Sequence, residues 1–158
     1  MKLPQPGDKV IKVKNGKKGE ITMQLKWIPE FSSQRTTQFW RAQVFVDIEC
    51  IRCMKPYTPM LNGALMKSVT LGAVVGTGRL EYLSPYARYQ YYGRLMVSSI
   101  TGSPVARQGE KKVLTTTELK YNYSRHPQAG PFWFERMKAD HAEKILAGAA
   151  RIAGGTPK

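Results

Sequence analysis

The sequence predicts an α+β domain, and three observations carry that prediction. Two stretches, 32–54 and 132–153, repeat apolar residues at helical spacing. The residues at their ends are helix start and stop signals: Ser32, Ser33 and Pro131 before them, Pro56 and Gly154-Gly155 after them. Between them lie short runs rich in Val, Thr and Leu, punctuated by Gly, Pro and Ser, as in antiparallel strands joined by turns. The expected architecture is a small antiparallel sheet with both long helices packed on one of its faces, and a long β-hairpin excursion. Residues 31–158 form that single domain, and residues 1–30 a basic N-terminal arm or hairpin.

The arm pairs Val10-Ile11-Lys12-Val13 with Glu20-Ile21-Thr22-Met23 if the Lys14–Gly19 segment, which holds an Asn-Gly, turns the chain back. The first long helix is expected to be capped by Ser32 or Ser33. Its apolar stripe is Trp40, Val44, Ile48 and Ile51, with Arg41, Asp47, Glu49 and Arg52 mostly elsewhere. Pro56 ends it, because proline disfavours the helical conformation of its predecessor. Residues 59–68 read as a loop with a short helical turn. Residues 68–75 and 79–83 read as two strands around the Gly76-Thr77-Gly78 turn. A short helix starts at Pro85 and stops at Gly93. The excursion follows, with strands 94–97 and 112–117 and an exposed tip between them; a loop that long usually has a function. Residues 121–123 read as a last strand. In the terminal helix, Phe134, Met137, His141, Ile145, Ala149 and Ile152 make the apolar face.

Charge is the most unusual property. Twenty-five Lys and Arg against eleven Asp and Glu leave +14 over 158 residues. Such an excess favours polyanionic partners such as nucleic acid. It is concentrated in residues 1–18, where six lysines face Asp8, and in residues 88–125, where seven basic side chains face Glu110 and Glu118. No apolar run is long enough for a membrane helix, and a secretory signal peptide is not expected.

The side chains that could carry chemistry are sparse. Cys50 and Cys53 form a CxxC within a helical segment, and the only histidines, His126 and His141, lie in unrelated segments. A structural zinc site needs four ligands, so the cysteines read as small core hydrophobes in a reducing interior. No nucleophile, base and orienter can be assembled, so no enzyme activity, cofactor or metal is expected. Tyr86, Tyr89, Tyr91 and Tyr92 form a dense aromatic block suited to a core and to a subunit interface. Arg107, Lys111 and Lys112 at the tip of the excursion are candidates for contact with DNA phosphates or a neighbouring ring.

Three segments resemble the minor capsid proteins of siphophages. Gly63-Ala64-Leu65-Met66-Lys67-Ser68 fits their G-x-L-x-x-S segment. Residues 82–93, YLSPYARYQYYG, resemble their Y-x-x-P-Y-A-x-x-x-Y-Y-G block, and residues 126–138, HPQAGPFWFERMK, resemble H-P-x-A-G-P-x-W-F-E-R-M-K. The resemblance covers about residues 32–155 and leaves the arm outside. It implies an α+β subunit of the virion neck, assembled in the host cytoplasm, that forms a ring, with six copies the expected number. It further implies contact with a head adaptor or stopper on one side and a tail terminator or tail tube on the other, with genomic DNA passing through. The alternative from the residues alone is a monomeric basic module that binds nucleic acid without sequence preference.

Overall fold

The longest helix, α1 (Phe31–Met54), contains no glycine or proline over 24 residues. The computed structural model describes residues 3–14 and 20–156. Pro56 ends α1 as expected, and the chain tightens into a 3-10 turn, Lys55–Tyr57, before Thr58 becomes extended. Neither serine caps the other end. The helix begins one residue before them, Ser33 Oγ donates to the Glu30 carbonyl at 2.9 Å, and Ser32 Oγ donates to the Leu3 carbonyl.

The chain order is β1 (Lys9–Lys14), β2 (Glu20–Leu25), α1, α2 (Ala64–Gly72), α3 (Ala87–Tyr92), β3 (Arg94–Ser98), β4 (Lys112–Glu118) and α4 (Trp133–Ile152). The mixed α+β class is as the sequence indicates. Its arrangement differs: two separate two-stranded antiparallel sheets, β1–β2 and β3–β4, replace one sheet. The two long helices pack on each other rather than side by side on a sheet face.

That helix pair is antiparallel. Arg35, in the first turns of α1, donates to the Ala153 carbonyl beyond α4 at 3.0 Å, while Tyr57, beyond the end of α1, donates to Asp140 in α4 at 2.5 Å. The absence of a side chain at Gly148 lets the Phe45 ring lie on α4; a Cβ there would stand 2.5 Å from the ring. The core gathers Cys53, Met54, Tyr57, Leu65, Ala87, Trp133, Met137 and Ile145.

This packing corrects the stripe expected for α1. Trp40 and Ile48 are half exposed, and the buried residues are Ala42, Asp47, Cys53 and Met54. The buried face is thus rotated away from the largest side chains of the helix. On α4 the expectation holds for Met137 and Ile145, which are buried, but Phe134 is 40 % exposed.

The strands expected at 68–75 and 79–83 do not form. Residues 64–72 are helix α2, and only a single bridge, Val74 to Arg79, remains around the Gly-Thr-Gly turn. Asn62 Oδ1 accepts the Ala64 amide at 3.0 Å at the start of α2, and Leu65, Ser68 and Val69 are buried at helical spacing. Val69 and Thr70 have β propensity, and tertiary burial overrides it. Residues 121–123 are not a strand either. Tyr121 instead donates its hydroxyl to the Gln90 carbonyl at 2.6 Å, which ties the chain to α3.

The excursion is present as β3–β4, with an irregularity in register between Arg94 and Met96. The N-terminal hairpin is also present, pairing Lys9 with Leu25 through Lys14 with Glu20. Its expected turn at 15–19 lies outside the described residues.

Gly93 is the pivot between α3 and β3. Its φ is +68°, and a Cβ there would meet Pro131 Cβ at 3.0 Å and the Tyr121 hydroxyl at 3.2 Å. Gly93→Ala is expected to lose about 1–3 kcal/mol, from left-handed strain and a displaced neighbour. Urea denaturation of the variant checks this.

Candidate assembly surface

The two sequence blocks centred on Tyr82–Gly93 and His126–Lys138 converge on one side chain. Trp133, 1 % exposed, meets the Tyr91 ring edge-on at 4.7 Å and the Tyr82 ring at 5.4 Å. The backbone makes this possible. Phe132 adopts φ +50°, the Phe132 amide donates to the Tyr91 carbonyl at 2.9 Å, and the Gly130 amide donates to the Tyr57 carbonyl at 3.1 Å. The 126–131 turn is thereby laced to both α3 and the end of α1.

The four tyrosines therefore divide. Tyr91 is a core residue: it packs on Trp133 and Phe132, and its hydroxyl donates to Glu135. Burial and this acceptor carboxylate push its phenol well above the usual tyrosine range. Tyr92 lies edge-on to Phe132 at 6.0 Å, and both rings are 42 % exposed. Tyr86 and Tyr89 are half-buried and tilted against each other at 6.3 Å. Outward-facing aromatic surface in these blocks thus comes from Tyr92, Phe132 and Phe134; Phe132 is not singled out by the sequence pattern, and its place directly before the buried Trp133 is the available signal.

Burial also raises the Tyr121 phenol, to about 12. An unfolded tyrosine ionises near 10. The folded state therefore favours the protonated ring, a contribution that is complete below pH 10 and is lost as pH rises towards 12. The denaturation midpoint is expected to fall over that window, and Tyr121→Phe to flatten part of the fall.

The basic candidates also separate. Arg107 and Lys111 are exposed at the tip of the excursion. Lys112 folds back instead: its Nζ donates to the Pro104 carbonyl at 2.8 Å and stands 5.8 Å from the centre of the Tyr89 ring. The tip has its own internal order. Ser98, 1 % exposed, takes the Ser103 carbonyl on its amide at 2.8 Å, and its hydroxyl donates to Glu110 at 2.6 Å. Ile100 and Val105 are left outside at 76 % and 79 % exposure.

The cysteines and histidines have structural surroundings. Cys53 is buried in the core; Cys50 is half-buried, and burial followed by the nearby Asp47 charge pushes its thiol up, away from the reactive thiolate. His126 Nδ1 lies 2.8 Å from the Thr58 carbonyl and shapes the turn. His141 stacks edge-on against Tyr57. Among the described residues no helix is long and apolar enough to cross a membrane.

The exposed surface is large. The chain presents 11,796 Å², whereas a compact monomer of this mass presents about 8,000 Å². Leu61, Leu71, Val74 and Ile100 contribute exposed apolar area to that surface. The comparison with known families gives the chain its class. A family model described as minor capsid protein matches residues 20–152, most of the chain. The chain belongs to this minor capsid protein family and is a phage structural protein, a component of the virion. No curated protein and no solved structure matches it.

Proposed function

We propose that the protein is a ring-forming subunit of the virion neck, joining the DNA-filled head to the tail and letting DNA pass. The observation that carries this reading is the excess of exposed surface, which a small protein tolerates when neighbours cover it. The ring is a homo-oligomer, with six copies as the expected number. It lies between a head adaptor or stopper and a tail terminator or tail tube. Its role is structural, without a catalytic centre.

The charge of +14 suits a channel that attracts DNA without reading bases. Arg107 and Lys111 face the channel or the next ring, and Lys112 holds the hairpin that carries them. Tyr92, beside Phe132, contributes to the subunit interface; Tyr86 and Tyr89 support it from beneath, and Tyr91 belongs to the core. The same charge favours the second reading, a free nucleic-acid-binding module. That module would bind DNA as an isolated monomer, with affinity falling steeply with salt.

Removing the gene from its phage is the test. The neck reading expects DNA-filled heads and complete tails that accumulate unjoined. Infectious, fully joined particles without the chain would refute it.

A further inference from the structure

The β1–β2 ribbon contributes none of its described residues to the hydrophobic core. All its described side chains, Lys9–Lys12 and Thr22–Leu25, are exposed. Register places Lys9, Ile11, Met23 and Leu25 on one face, the three apolar side chains at 48 %, 51 % and 46 % exposure, and Val10, Lys12, Thr22 and Gln24 on the other. Among the described residues, neither outer edge pairs with a further strand. An isolated two-stranded ribbon of this length is marginal in water, and open edges with an apolar face invite another strand.

The base of the ribbon is nevertheless fastened. Asp8 Oδ1 accepts the Trp27 amide at 3.2 Å, Gln5 donates to the Ile28 carbonyl at 2.9 Å and accepts the Ser32 amide at 3.0 Å, and the Leu3 amide donates to Thr36 at 3.0 Å. Both legs are thus held at the start of α1, and the ribbon projects from a defined foot.

We propose that this ribbon joins the subunits of the ring: the outer edge of β1 in one copy adds to the outer edge of β2 in the next. The inference rests on the ring reading above and names the element that builds it. Charge selects the pairing. β1, KVIKVK, carries three lysines, while β2, EITMQL, carries one glutamate and no basic residue. Adding β1 to β1 would set lysines against lysines, which destabilises a sheet, whereas β1 against β2 sets them against a strand with no basic residue. Pairing two different edges is a heterologous contact, the kind that closes into a ring. Copies related by rotation also bring β2 and the next β1 together antiparallel, as within the ribbon itself. Ile11 then lies beside Met23 or Leu25 of the next copy, and each covers the other's flank.

The experiment uses assembled particles carrying a mixture of two full-length variants, Val10→Cys with Gln24→Cys, or with Thr22→Cys to allow a two-residue shift in register. These positions lie on one face of the ribbon. After mild oxidation, a denaturing gel reads disulfide-linked dimers, and particles with the unsubstituted chain set the background from Cys50 and Cys53. Equivalent β1 positions in neighbouring copies would be about two strand spacings, roughly 9.5 Å, apart, beyond disulfide reach. The mixture is therefore expected to give at least tenfold more dimer than Val10→Cys alone. Dimers from Val10→Cys alone would mean β1–β1 pairing and overturn the proposal. No dimers in particles whose images show the ring would overturn it too, leaving the ring reading intact. Absence of the ring itself would refute both.

Discussion

Trp133→Ala is expected to lower stability by about 3–5 kcal/mol, the usual cost of deleting a large buried aromatic ring. In a chain of this length that lowers the melting temperature by about 10–15 °C. Trp133 sits at 1 % exposure where α3, the 126–131 turn and the start of α4 meet, so its loss removes the contacts of Tyr82 and Tyr91 together. Domains are stable by only about 5–15 kcal/mol in total. The variant should therefore be partly unfolded under conditions where the parent is fully folded. Thermal melting by circular dichroism reads this directly, and Trp133→Phe, which keeps most of the ring, should recover more than half of the loss. A shift below about 3 °C would mean that the aromatic block is not the keystone of the fold.

Asp47→Ala is the second large effect. Asp47 is 2 % exposed, and three donors surround its carboxylate: the Gly76 amide at 2.7 Å, the Gly78 amide at 3.1 Å and Gln43 Nε2 at 2.7 Å. Hydrogen bonds to a charged acceptor count for more than neutral ones, and the abandoned donors keep their desolvation cost. The expected loss is about 3–4 kcal/mol. It should be localised: the 74–80 loop comes away from α1, and the Gly76 and Gly78 amides exchange with solvent far faster than the α4 amides. Asp47→Asn retains one acceptor oxygen and should fall in between. Unchanged exchange at Gly76 and Gly78 would contradict this account.

These two residues differ in how visible they were in the sequence. The Trp133 region was legible, because a proline at the head of an apolar helix and a tyrosine-dense block are strong local signals. In the sequence Asp47 lies off the apolar stripe Trp40, Val44, Ile48 and Ile51, whereas the helix buries Ala42, Asp47, Cys53 and Met54. The burial of Asp47 depends on two glycine amides about thirty positions away, which no local periodicity encodes. The same reason hid α2. Its run of Leu, Val and Thr fits a strand locally, and only the joint burial of Leu65, Ser68 and Val69 against the core makes it helical.

Both hairpins were legible as pairs of strands, from the alternation and turn residues within each. Their roles were less so. Arg107, Lys111 and Lys112 look alike in sequence, yet Lys112 is folded onto Tyr89 while the other two reach outward. The N-terminal ribbon looked like a charged arm because lysine dominates its count. Only the register brings Ile11, Met23 and Leu25 together on one face, with Lys9 at its end.

Cryo-electron microscopy of purified virions, at a resolution that traces side chains in the neck, tests the place of the chain in the particle. The expected image is a closed ring of this chain between portal and tail tube, with Arg107 and Lys111 towards the DNA path or the adjoining ring. Virions that lack the chain, or that carry it away from the head–tail junction with both residues facing open solvent, would contradict it.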